Sequence, residues 1–523
     1  MLTPDGHCAN KIEKVMLLAL WANTLRDEIQ AQGLSATKKL IFAGLGKPTY
    51  PINSHTIASY LSYWQRLDGL IKKWQMDPDQ IEEDIAIDYG DPRGDYAPRK
   101  LMADIMSHWY TAEINPENIL FTVGGIGALR VLFETFNTHY EDVPGYRIIT
   151  PFPYYSVYSN NPSHCLHPIH VMDAPGYKLT AQAVAESIKE AYALAEMDHG
   201  WPKAILICNP SNPLGNIIDA GELSKIADVL RQYPDLYIIF DEAYTEMSFA
   251  EMPSFLRIAP DLQERVIILR SATKALSAAG ERMAVLLVFE SSLMNEMLNK
   301  NISYFIHAPR SAQAAYAETM ANFRDEEKKS IAAFYKKKVD YVVERLKAMG
   351  AAMPDPLYHI EATFYVLADF SDMFGLPLPK EVARVLQKTG MVKTDEELAY
   401  YLLFQDNLMI TPLSYFGLSK HDGFMRITCS GQEHELHDLM DRLEGRLFAS
   451  RKNKKSVLLE KINHRLPELK KIDAHMFELI WQKLRAVDAE EDTCLNLKSR
   501  NQALRKIYDT VIDFFEIMKE EVY

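Results

Sequence analysis

The sequence VIILRSATKALSAAGERMAV, residues 266–285, decides how the rest of the chain is read. It opens on an apolar run, Val266-Ile267-Ile268-Leu269, that predicts a buried strand. Ser271, Ala272, Thr273 and Lys274 follow, and Arg282 stands eight residues beyond the lysine, behind Gly280. A lysine at the end of a buried strand loses water, its pKa falls, and its amine becomes a usable nucleophile. A hydroxyl three residues before it and an arginine eight after it are spaced to hold a phosphate beside that amine. Taken alone, the stretch reads as a strand followed by a solvated loop lysine.

Two upstream stretches change that reading. Ile205-Leu206-Ile207-Cys208 runs into Asn209-Pro210-Ser211-Asn212-Pro213-Leu214-Gly215, and Tyr237-Ile238-Ile239-Phe240 runs into Asp241-Glu242-Ala243-Tyr244. Three apolar runs that each end in a polar cluster place those clusters at one edge of a sheet. Open α/β sheets bind ligands at the carboxyl edge. Asn, Asp, Tyr, Lys, Ser and Arg together are what a pyridoxal phosphate site requires: a lysine to form the Schiff base and a carboxylate to keep the pyridine nitrogen protonated.

NPSNPLG, FDEAY and SATKALSAAGER, in that order and spacing, resemble the class I/II aminotransferases, fold type I of the pyridoxal phosphate enzymes. The resemblance covers roughly residues 40–445. It implies an α/β fold: a large domain with a central mixed, mostly parallel sheet flanked by helices, and a smaller α+β domain. It assigns Lys274 the cofactor, Asp241 the ring nitrogen, Asn212 and Tyr244 the phenolic oxygen, and Ser271 and Arg282 the phosphate. Gly124, Gly125 and Ile126, where a strand enters a glycine-rich turn and a helix, match the phosphate cup; a helix N-terminus suits an anion. Tyr155 matches the ring stacked on the pyridine, with Tyr154 as runner-up. Gly46 lies over the substrate, and Arg426 takes its α-carboxylate in a bidentate grip. Tyr89 reaches the cofactor phosphate of a second subunit, which implies a homodimer with shared sites. Several of these positions have plainer readings. Gly46 could sit in an ordinary turn, Tyr89 could be a half-buried turn tyrosine, Asp241 a helix N-cap, and Arg426 a surface strand arginine.

The resemblance is also informative where a residue is missing. Family members that act on aspartate carry an arginine about six residues before the proline that corresponds to Pro309. Here that position is Ser303, and Arg310 lies on the other side of the proline. The expected donor is therefore not strictly dicarboxylic.

The chain has 523 residues, too long for one core. A formal net charge of -14 argues against a nucleic-acid binder. Five scattered cysteines with no CxxC pair point to a reducing compartment and no structural zinc, and the spacing of the histidines suggests no metal site. The eight-residue apolar run from Val15 is too short to span a membrane and reads as a packed helix. The expectation is a soluble, cytoplasmic protein.

The expected division is a lead-in and substrate-covering segment at 1–55, a large cofactor-binding domain at 56–335, a small domain at 336–448 and a helical extension at 449–523. Helices are expected over 54–83 and 325–349. Arg451-Lys452-Asn453-Lys454-Lys455 reads as a charged linker, with two or three helices beyond it. The extension holds fifteen Lys+Arg and thirteen Asp+Glu, so it is no nucleic-acid tail; packing on the body or building a larger oligomer suits it better. The same residues also fit a β-lyase, a synthase or an aspartate 4-decarboxylase-like enzyme on this fold. A DNA-binding regulator fits poorly, because the 38-residue lead-in is too short for a reader domain.

Overall fold

The apolar run at Val266 lies inside a seven-stranded sheet and is buried at every position. The computed structural model describes residues 1–9, 12–34, 39–80, 85–138, 146–160, 164–488 and 491–520. A lead-in helix α1 (Lys14–Ala31) precedes a two-residue strand β1 (Ile41–Phe42) and helices α2 (Ser54–Met76) and α3 (Tyr96–Tyr110). Helix α2 stops short of the predicted 83 because Pro78 follows its cap residue Asp77, and a residue before proline is pushed out of the helical region. Residues 81–83 of that predicted helix lie outside the described residues.

The large sheet comprises β2 (Ile119–Val123), β3 (Tyr146–Phe152), β4 (His164–His170), β5 (Pro202–Cys208), β6 (Tyr237–Asp241), β7 (Val266–Ser271) and β8 (Met283–Val288). Their order is β2-β8-β7-β6-β5-β3-β4, with β8 antiparallel to both neighbours and the other pairs parallel. Helices α4 (Gly124–Thr138), α5 (Ala181–Asp198), α6 (Ala220–Arg231) and the one-turn α7 (Phe255–Ile258) connect the strands. Side chains alternate between the faces. Ile205, Ile207, Ile238, Phe240 and Ile268 enter one core, and Leu206, Ile239, Ile267 and Leu269 enter the other. Burial on both faces explains why these strands read as unbroken apolar runs. The parallel register pairs Cys208 with Asp241 and Asp241 with Leu269, so the polar ends of β5, β6 and β7 lie side by side.

Helices α8 (Ser291–Phe305), α9 (Arg310–Asn322) and the long α10 (Asp325–Ala348) follow, and α10 agrees with the predicted span. Then come β9 (Tyr365–Asp369), α11 (Lys380–Leu386), α12 (Asp395–Asp406), β10 (Leu408–Met409), β11 (Thr411–Pro412) and β12 (Phe424–Thr428). Strands β11, β12 and β9 form an antiparallel sheet in that order. Strand β1 pairs with β10, which brings the segment of Gly44 and Gly46 beside this smaller sheet.

Three helices close the chain: α13 (Glu433–Ile472), α14 (Ala474–Asp488) and α15 (Cys494–Glu520). Residues 451–455 are not a linker but the interior of α13. The charge run carries no Gly or Pro, so nothing in it breaks a helix. Arg451 is fully buried and donates to Asp372 and to the carbonyls of Met349, Gly350 and Cys494. Ile462, Leu466, Ile480, Leu484, Leu504 and Val511 give these helices a core of their own.

Candidate active site

The loop after β5, the end of β6 and the turn after β7 converge at one sheet edge. Asn212 donates through Nδ2 to the Tyr244 hydroxyl at 3.1 Å. The Tyr244 hydroxyl also lies 3.1 Å from that of Tyr365 on β9. Lys274 follows β7, and its Nζ donates to the carbonyl of Gly46, so the segment after β1 touches the lysine. Gly46 admits no side chain: a Cβ there would stand 2.1 Å from the Tyr365 hydroxyl and 3.1 Å from Lys274 Nζ. Asp241 is buried at the end of β6. Burial raises its carboxyl above the ordinary range, opposed by a 2.7 Å hydrogen bond from Tyr158, the Ala243 N–H and the charge of Lys274.

Arg282 adopts a left-handed conformation with φ 54° and lays its guanidinium against the turn at Gly124. A Cβ on Gly124 would lie 2.5 Å from Arg282 Nη2, and one on Gly125 3.9 Å from the Ser271 hydroxyl. Gly124, Gly125 and Ile126 form the first turn of α4, where backbone N–H groups have no partner within the helix. Arg282, Ser271 and that helix start thus make one cationic, donor-rich cradle.

Arg426 on β12 is buried between two aromatic rings, with its guanidinium carbon 4.2 Å from the centre of Tyr365 and 4.5 Å from that of Phe416. Nη1 donates to Asn212 Oδ1 at 3.0 Å and Nη2 to the Gly44 carbonyl at 2.7 Å. Its Nε is buried without a partner among the described residues. Tyr155 is half-buried near Tyr365, Asp241 and Arg426, whereas Tyr154 packs on Phe152 and Gly417.

Two predicted positions stand apart from this cluster. Tyr89 is 75% exposed, and within the chain its ring meets only that of His307 among the ring contacts. Ser303 is exposed and donates to the Asn299 carbonyl. Arg310 is engaged by Asp95 at 2.7 Å. The sequence reading places Tyr365 only in a strand and Phe416 only in a loop that bears on side-chain specificity, and passes over Tyr158. Tyr158 had a signal: it follows Tyr155 by three residues in a tight helical turn (Ser156–Asn160), where i and i+3 share a side.

Residues 67–443 match the profile of the family described as Aminotransferase class I and II. The chain belongs to that family. This aminotransferase is 25% identical over 359 residues to the "Putative aminotransferase YugH" of Bacillus subtilis, across 67% of this chain and 81% of that protein. It is 25% identical to an "Aspartate aminotransferase" of Rhizobium meliloti, across 61% of this chain and 72% of that one. The crystal structure of the aspartate aminotransferase from Rhizobium meliloti superposes with a TM-score of 0.66 at 19% identity, covering 83% of this chain and 96% of that one. The Thermus thermophilus aspartate aminotransferase with maleate superposes at 0.62 and 20% identity, covering 80% of this chain and 94% of that one. The fold is that of the fold type I enzymes, as the sequence predicted.

Aminotransferases of this family are pyridoxal-phosphate-dependent transaminases, and this chain's residues fit the cofactor. The cradle at Gly124 has room only for backbone and suits a dianion. The buried carboxyl of Asp241 forms no ion pair among the described residues, and Lys274 is the cation whose charge acts on it. A pyridinium N–H would give it a direct partner.

Proposed function

We propose that this aminotransferase accepts L-amino acids that are not strictly dicarboxylic, passes the amino group to a 2-oxo acid, and works as a homodimer with shared sites. Arg426 carries the reading: a buried guanidinium, stacked by Tyr365 and Phe416 and orphaned at Nε, is suited to a carboxylate. The position that would hold a second cation is the exposed Ser303, and Arg310 already serves Asp95.

The cofactor, when bound, supplies a ring that draws electrons from the substrate and so acidifies its Cα–H. The chain's residues do the rest. Arg426 fixes the substrate carboxylate and hence which Cα bond faces the ring. Lys274 holds the cofactor at rest, and its freed Nζ takes the proton from Cα and returns it on the other side of the transfer. Asp241 holds the proton on the ring nitrogen, and Tyr158 keeps one oxygen of that carboxylate oriented. Tyr244 and Asn212 donate toward the phenolic oxygen. Ser271, Arg282 and the amides of 124–126 hold the phosphate. Tyr155 stacks on the ring, and Gly46 and Tyr365 shield the site from water.

A second copy of the chain is supported by an uncovered apolar face. Ile57, Leu61 and Trp64 on α2 are 46%, 55% and 47% exposed at helical spacing, and Tyr89 stands free beside His307. A cytoplasmic location and the division at 55, 335 and 448 belong to the same proposal. No described helix is long and apolar enough to cross a membrane.

The test is a single turnover without an oxo acid. Holoenzyme mixed with individual amino acids should release one equivalent of the matching 2-oxo acid per site and stop. Neutral donors should match or exceed aspartate and glutamate in kcat/KM. Continued release of pyruvate, ammonia or carbon dioxide would instead establish a lyase or decarboxylase. A preference of a hundredfold or more for dicarboxylates would sink the donor assignment.

A further inference from the structure

Behind the strand ends that carry Asp241 and Ser271, a separate cleft of about 220 Å³ opens between α3, the Thr245–Met247 turn and the junction of α9 with α10. Its floor is a buried ionic cluster. Arg270 is 4% exposed and donates to Glu242 at 3.1 Å and to Glu246, which are themselves 4% and 8% exposed. Tyr110 donates to the same Glu242 oxygen at 2.6 Å, and the guanidinium lies 4.7 Å from the Trp109 ring centre. Two carboxylates face one guanidinium, so the floor carries a net negative charge. Both carboxylates line the cleft, and each keeps one oxygen, Glu242 Oε1 and Glu246 Oε2, with no hydrogen-bond partner among the described residues. Neither oxygen is sealed from solvent, so each is open to a donor that enters the cleft.

The rim has the opposite sign. Arg324 and Lys328, at the start of α10, line the mouth and form no ion pair among the described residues; of the three acids between them, Asp325 alone shares the lining. Met252, Pro253 and Phe323 supply apolar walls. No cluster suited to a metal ion occurs among the described residues, and the volume is below the roughly 300–1,000 Å³ of drug-sized ligand sites.

From this polarity we infer that the cleft binds a small zwitterionic amino acid, ammonium end on Glu242 and Glu246 and carboxylate end on Arg324 and Lys328. The ammonium donates three hydrogen bonds where unpaired carboxylate oxygens wait, and the carboxylate meets free cations. This site is distinct from the one at Lys274 and uses none of its residues.

The experiment is calorimetric titration of β-alanine into the cofactor-loaded Arg426→Ala variant, which disables carboxylate docking at the active site. One β-alanine should bind per chain without changing the visible absorption of the bound cofactor. Propylamine and propionate, which each carry only one end, should bind at least about tenfold more weakly. Glu246→Gln should abolish binding. Because that change leaves Arg270 short of a partner, Lys328→Met at the rim provides a second variant that spares the core, and it should weaken β-alanine about tenfold. No binding to Arg426→Ala, affinity unchanged by Lys328→Met, or propylamine binding as tightly as β-alanine would each overturn the assignment.

Discussion

In the proposed role Asp241 would serve the loaded enzyme, while its burial burdens the empty one. Burial raises its carboxyl above the ordinary range. Its folded pKa lies above the unfolded one, so the cofactor-free protein gains most from this group when it is protonated, near pH 4 and below. That contribution is lost as pH rises through the raised value. Asp241→Asn should therefore melt higher than the wild type at pH 7 when both lack cofactor. With cofactor bound, the order should invert, and turnover should fall about 10²–10³-fold through loss of an electrostatic partner; calorimetry and initial rates measure both. Asp241, Asn212, Tyr244 and Lys274 were legible because each ends an apolar run or follows one closely. Tyr158, Tyr365 and Phe416 were not, because an aromatic in a strand or turn looks the same whether it fills a core or flanks a guanidinium.

Among the elements, α12 shows how a helix start can be tuned. Asp395 opens it, accepts from the Ser414 N–H and hydroxyl at 2.8 and 2.7 Å, and is pushed up to about 6 by burial. With the folded value above the unfolded one, its contribution to stability is full below about pH 4 and declines up to about pH 6, by about 1.4 kcal/mol per unit. Asp395→Asn should flatten that part of the profile in urea unfolding at stepped pH. Helix α13 makes the complementary point. Arg451→Met removes the ion pair with Asp372 and donors to three carbonyls. Breaking such a buried pair costs about 3–5 kcal/mol. Hydrogen exchange should accelerate in α15 while β5, β6 and β7 remain protected. The strands were readable from period and apolar content. The continuity of α13 was not, since a run of charges suits a loop and a helix alike, and the acceptors of Arg451 are 43 to 102 residues away in sequence.

At the scale of the whole molecule, the proposed homodimer rests on the apolar stripe of α2. Leu61→Glu should halve the sedimenting mass and weaken cofactor binding, because Tyr89 would lose the neighbour whose phosphate it serves; unchanged mass would refute the homodimer. The fold class was readable from the ordered motifs, whereas the fit of the C-terminal helices depends on long-range contacts that no local pattern encodes. Those helices have a mechanical consequence. Helix α13 begins five residues after the strand of Arg426 and runs from Glu433 for 34 residues before it meets Pro467, a rod of about 50 Å. Each degree of rotation of the smaller sheet would displace the far end of that rod by about 1 Å. A spin or fluorescent label at the exposed His464, ahead of the proline, would thus act as a pointer needle, magnifying at the periphery any rotation that carboxylate docking on Arg426 brings about.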